Sequence, residues 1–168
     1  MPVFLITIHA YRSWNADHPR GYVRHGKGIL PPNAEQAKAY DERAADLPAL
    51  FGDAEQAAIA SISADACLRR IWRLHAIAVE PTHAHLLVSW RDDTRSSVVG
   101  GKIKNLISRE LNLGLATKRK WLSRGASRKR VKDQRHFDHL LETYLPKHRG
   151  LFWKEGLPPL PPPASAGG

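Results

Sequence analysis

Apolar positions along the chain change period several times, and each change marks an element. Val3–His9 alternates and is rich in β-branched and aromatic side chains, which predicts a strand. Residues 11–28 carry Trp, Pro and three Gly and read as loop, with a short strand near 21–25. Asn33 is placed to cap a helix running to about residue 46, with Glu35 and Gln36 in its first turn. Asp53 opens a longer helical pattern that reaches about residue 70. Residues 72–80 alternate again, Pro81 and Thr82 mark a tight turn, and 83–90 alternate once more, which predicts a β-hairpin.

Val98, Val99, Ile103, Ile107 and Leu111 fall at helical spacing, so a helix is expected over 96–113, with Lys102, Lys104 and Arg109 on its other faces. Residues 120–131 read as a basic hairpin with Gly125 near its tip. A helix is expected over 136–147, its last turn distorted by Pro146. Residues 157–168 are uncharged and rich in Pro, Ala and Gly, and are expected to form a disordered tail behind one domain, 1–156. This order of elements predicts an α+β fold, a small antiparallel sheet with helices on at least one face.

Charge changes that picture. The formal net charge of the 168 residues is +10, and all of the excess lies in the second half. The first 90 residues hold nine basic and nine acidic side chains; the remainder holds 17 basic against seven acidic. Lys118, Arg119, Lys120, Arg124, Arg128, Lys129 and Arg130 crowd one short stretch. Such crowding repels itself and draws polyanions, nucleic acid above all. Trp121 in the same stretch is a candidate for stacking on an unpaired base. A solvated basic loop with Trp121 in the core has the same composition.

Length and cysteine count bound the rest. A chain of this size buries about two thirds of its unfolded surface and needs no disulfide or metal staple. The single cysteine, Cys67, excludes an internal disulfide framework and reads as a small core residue. Residues 1–10 lack a basic leader and a cleavage site, and no run approaches a membrane span, so a cytoplasmic protein is expected.

Two constellations carry chemistry. His83 and His85 stand at i and i+2 of a strand, so both imidazoles leave one face while Ala84, Leu86 and Val88 point into the core. Paired neutral imidazoles ligate divalent transition metals. Two polar residues on a solvated strand face show the same pattern. Tyr144 and His148 stand at i and i+4, which on a helix places a phenol beside a third imidazole. A half-buried tyrosine and a histidine near a helix C-terminus would read alike.

Three segments sharpen both. WRLHAIAVEPTHAHLLVS, 72–89, resembles the hairpin of the HUH single-tyrosine transposases, with its P-x-H-x-H turn and aliphatic run. KWLSRGASRKRVKDQRHFDHLLETYLPKH, 120–148, resembles the Arg-Gly-x-Ser stretch and tyrosine helix of proteins related to the REP-associated tyrosine transposases. YRSWNADHPRGYV, 11–23, resembles the opening motif of that group. Ala84 is smaller than the bulky apolar residue usual between the two histidines, and His18 stands where an Asp is common, with Asp17 beside it.

The resemblance implies a ferredoxin- or RRM-like HUH endonuclease fold. It makes His83 and His85 metal ligands, Tyr144 the nucleophile, and places His148 where the group has a Gln ligand. It further implies a divalent cation, Mg or Mn, a single-stranded or hairpin DNA substrate, cleavage and rejoining through a 5′-phosphotyrosine bond, a homodimer, and a place at the bacterial nucleoid. A domesticated relative with the same chemistry, and a non-catalytic nucleic-acid-binding module on the same fold, are the rival expectations.

Overall fold

A computed structural model describes residues 1–24, 27–44 and 46–161. His25, which closed the expected short strand, and the tail beyond residue 161 lie outside the described residues. The fold is α+β. A sheet of five strands, all antiparallel, runs in the order β6-β1-β5-β4-β7, where β1 is Val3–His9, β4 Arg73–Glu80, β5 His83–Ser89, β6 Ser127–Arg130 and β7 Leu151–Lys154. Among the described residues four α-helices accompany it: α1 Ala34–Glu42, α2 Asp53–Leu68, α3 Ser96–Leu111 and α4 Gln134–His139. A separate two-stranded ribbon pairs β2 Tyr22–Arg24 with β3 Gly28–Leu30.

Alternation decides what each sheet face touches. Ile6, Ile8, Ala84, Leu86 and Val88 point to one side and join Ile59, Ile62, Val99, Ile103 and Ile107 of α2 and α3 in the main core. Full burial of a side chain such as Leu86 stabilises the fold by roughly 1.5–3 kcal/mol. The other face is only partly solvated. Leu5, Ala76, Ala78 and Leu87 form a second cluster there with Leu140 and Leu145 from the segment after α4. A bulge between Leu74 and Ala76 re-phases β4, so that Leu74 faces the main core and Ala76 the second cluster.

Several expected elements hold close to their predicted bounds, with Asn33 Oδ1 accepting from the Gln36 backbone N–H at 2.8 Å as the cap of α1. The basic hairpin does not form. Residues 127–130 instead pair with Phe4–Thr7 on the edge of β1, and Leu122 bridges to Ala10. The main-chain groups of β1 need partners whatever the side chains are, and a strand with three cations in its four residues supplies them while keeping its charges in water.

The single helix expected over 136–147 is broken into three. After α4 come a π turn, Leu140–Tyr144, and a 3-10 turn, Leu145–Lys147. Pro146 has no N–H, and its ring would meet the carbonyl of residue 142 in a regular helix. The chain widens to a Leu145 N–H to Leu140 carbonyl bond and then tightens. At the chain's far end, Trp153 Nε1 donates to the Pro158 carbonyl at 2.9 Å and Leu160 packs on the main core.

Candidate active site

The register of the central strands builds the site. Thr7 lies opposite His85 and His9 opposite His83, so β1 and β5 project four polar side chains from one end of the second face. His148 joins them from the bend before β7. That bend must run close to β4: a Cβ on Gly150 would stand 2.0 Å from the Val79 carbonyl oxygen, so only glycine fits. Glu80 steadies the bend, its carboxylate accepting from the Arg149 N–H at 2.9 Å.

His83, His85 and His148 each offer one ring nitrogen, and these three atoms lie within 4.8 Å of one another. The second nitrogen of each ring is engaged. His85 Nδ1 is 2.7 Å from Thr7 Oγ1, His148 Nδ1 is 3.1 Å from the Leu145 carbonyl oxygen, and His83 Nδ1 is 3.0 Å from Thr82 Oγ1. In the tautomer that donates from Nδ1, Nε2 keeps its lone pair, the arrangement in which histidine ligates metals; His83 Nε2 also lies 3.6 Å from Glu80 Oε2. Burial, with neighbouring imidazoles, lowers the pKa of His85 to about 3, and burial also lowers that of His83. Both rings are therefore neutral at neutral pH. The cluster could hold a metal ion, with His83, His85 and His148 each offering one imidazole nitrogen.

Tyr144 closes the group. Its hydroxyl is 3.4 Å from His85 Nε2, and its ring centre is 5.1 Å from that of His148. The i, i+4 pairing expected of a helix survives through a different geometry, because His148 sits beyond the 3-10 turn with extended backbone at ψ 136°. Tyr144, the three histidines, Thr7 and His9 line an open cavity of about 540 Å³.

The cationic residues expected to bind DNA are dispersed. Lys129 alone among them lines the cavity, because Leu5 and Lys129 are cross-strand partners on that face. Lys102, Lys118, Lys120, Arg124, Arg128 and Arg130 are exposed elsewhere, and Arg109 is ion-paired with Glu110. The Lys104 ammonium donates to the carbonyls of Ser123 and Gly125, and burial lowers its pKa. It ties α3 to the loop before β6. In the structure Trp121 follows the core reading rather than the stacking one. It is 7% exposed in the main core, with the Arg119 guanidinium 4.7 Å from its ring centre, so it is closed to a base. Cys67 is buried, which raises its thiol pKa to about 12, in keeping with a core residue.

His9, Trp14, Arg20, Glu80 and Lys147 line the cavity and were not singled out as site residues from sequence. For His9 a signal existed, since Leu5, Thr7 and His9 share one strand face. Burial and the nearby His83 lower its pKa.

No protein family and no curated protein matches the chain. A solved structure of a REP-associated tyrosine transposase bound to a REP hairpin is similar at 11% identity and a TM-score of 0.46, covering 83% of this chain. The chain spans 62% of the length of that structure. Among the described residues no helix is long and apolar enough to cross a membrane.

Proposed function

We propose that the protein is a metal-dependent endonuclease and strand transferase for single-stranded or hairpin DNA, acting through a covalent bond to Tyr144. The observation that carries this reading is one phenolic hydroxyl, 3.4 Å from the Nε2 of an imidazole in a three-histidine cluster, inside one open cavity. We assign the activity to residues 1–156, in a protein of the bacterial cytoplasm at the nucleoid.

His83, His85 and His148 would hold a divalent cation. Three imidazoles favour transition metals, so of Mg and Mn the better match is Mn. When bound, the cation supplies Lewis-acid stabilisation of the charge that develops on the phosphate. The chain's own residues do the rest. Arg20, Lys129 and Lys147 on the cavity wall draw in the strand and pair with its phosphates. Tyr144 Oη attacks phosphorus and loses its proton to solvent; the Oη–P bond forms as the bond to the 3′-oxygen breaks. The 3′-oxygen leaves as a hydroxyl once protonated, and Tyr144 carries the 5′-phosphate. Attack by another 3′-hydroxyl reverses the step and joins strands, because no bond energy has been lost to hydrolysis.

Lys102, Arg109, Lys118, Arg124, Arg128 and Arg130 would meet the backbone beyond the cavity. Tyr144 stands 3.4 Å from His85 of its own chain, so the proposal has Tyr144 act in its own subunit's site, within the homodimer that the resemblance implies. Incubation of the protein with a randomised pool of labelled single-stranded DNA and Mn²⁺ tests the proposal. A denaturant-resistant protein–DNA band that EDTA abolishes is expected. Absence of that band, or its persistence in EDTA, overturns it.

A further inference from the structure

Trp14 is the one tryptophan with an open ring. It is 39% exposed, whereas Trp72, Trp90 and Trp121 are 7%, 2% and 7% exposed and Trp153 is half-buried. Its surroundings hold it rigidly without covering it. The indole stacks on His18, ring centres 3.7 Å apart at 14°, and meets the edge of His9 at 5.4 Å. Its Nε1 donates to the Gly21 carbonyl at 2.8 Å. Gly21 has φ +78°, and a Cβ there would stand 2.2 Å from the Leu30 carbonyl oxygen, so the acceptor is locked against the β2–β3 ribbon. The Ser13 hydroxyl is within hydrogen-bond distance of the carbonyl oxygens of Ala10 and Thr82 and anchors the loop beside the site histidines.

Trp14 lines the same cavity as Tyr144, and Arg20, Lys129 and Lys147 line it too. A pre-positioned aromatic surface among cations matches a polyanion that carries flat aromatic rings. We propose that Trp14 is the stacking platform for an unpaired nucleobase beside the phosphate that Tyr144 attacks. Cations take the phosphates and the indole takes the base. The ring is already ordered, so stacking costs little side-chain entropy. The inference rests on the cavity's handling nucleic acid, and it deepens that reading by naming where a base sits.

The test uses the whole metal-free protein in EDTA, so that cleavage does not intervene. A short oligothymidylate and an abasic strand of equal length and charge are titrated, followed by tryptophan fluorescence and by the anisotropy of a labelled strand. Oligothymidylate is expected to quench the fluorescence and to bind about tenfold more tightly than the abasic strand. Trp14→Ala should lose that advantage and keep its affinity for the abasic strand. Trp14→Phe should retain most of the advantage and lose the quench. Equal binding of the two strands by the parent protein, which needs no variant, overturns the platform, as does a quench that persists in Trp14→Phe. Either result leaves adduct formation at Tyr144 standing. Conversely, Trp14-dependent binding without a Mn²⁺-dependent adduct supports the platform and removes the nuclease.

Discussion

Thr7 Oγ1 lies 2.7 Å from His85 Nδ1, across one rung of the β1–β5 ladder, and this contact decides which nitrogen of the imidazole faces the cavity. In the tautomer that carries its proton on Nδ1, the hydroxyl accepts from Nδ1–H and Nε2 is left as the ligand atom. Thr7→Val keeps the shape and removes the acceptor. Metal affinity should fall by about 10–100-fold, and stability by only about 1 kcal/mol. Calorimetric titration with Mn²⁺, beside urea unfolding of the metal-free variant, reads both. Unchanged affinity would mean that Thr7 does not orient the ring.

Gly150→Ala should be costly far beyond its size. The added Cβ meets the Val79 carbonyl oxygen at 2.0 Å and Gln56 Oε1 at 2.6 Å, and backbone cannot yield as a flexible side chain does. A loss of about 1–3 kcal/mol is expected, with weakened metal binding because His148 sits two residues away on the same bend. Thermal unfolding and metal titration check the two effects. A variant as stable as the parent would show that β7 can shift away from β4.

How the molecule responds to acid follows from its buried imidazoles. His75, held by Ser89 Oγ at 2.8 Å and by the Phe137 ring, has its pKa lowered from 6.5, by burial first and then by Arg73, against the raising effect of Glu155. His85 is lowered to about 3. A group with a depressed folded pKa leaves stability intact above its unfolded pKa and removes it as pH falls through that value toward the folded one. In metal-free protein, stability should hold above about pH 6.5 and decline below it, by up to about 1.4 kcal/mol per pH unit for each such imidazole. Urea midpoints measured across that range, with His75→Asn as comparison, should show the shallower decline in the variant. Parallel curves would mean that His75 titrates alike in both states.

Much of this was legible in the chain, for physical reasons. Alternation places His83 and His85 on one face and Ala84, Leu86 and Val88 on the other, because a strand's side-chain period is set by covalent geometry. What alternation cannot give is register. Nothing local says that Thr7 and His9 stand opposite His85 and His83, so both escaped notice as site residues. Ser127–Arg130 shows no apolar pattern, because it is a strand through the backbone needs of β1 rather than through its own side chains. Leu151–Lys154 is too short for its period to register between Gly150 and Gly156. Pro146 signals a distorted turn, but which hydrogen bonds replace the lost one depends on Leu140 and Leu145 packing against the second face. Of the two readings that the sequence leaves open for Trp121, the structure has the buried one, because a basic stretch in sequence need not be a basic surface and its one large aromatic ring is drawn into the core.

The central claim, that Tyr144 Oη forms the bond to DNA, is tested most directly by locating the adduct. The parent protein and Tyr144→Phe are incubated with the single-stranded pool and Mn²⁺, digested with nuclease and protease, and read by peptide mass spectrometry. The ring is kept in the variant, so binding of single strands should stay within a few-fold. The account predicts a nucleotide-bearing peptide that fragments to Tyr144 in the parent and no adduct in Tyr144→Phe. An adduct on any other residue, or one that survives in Tyr144→Phe, contradicts it.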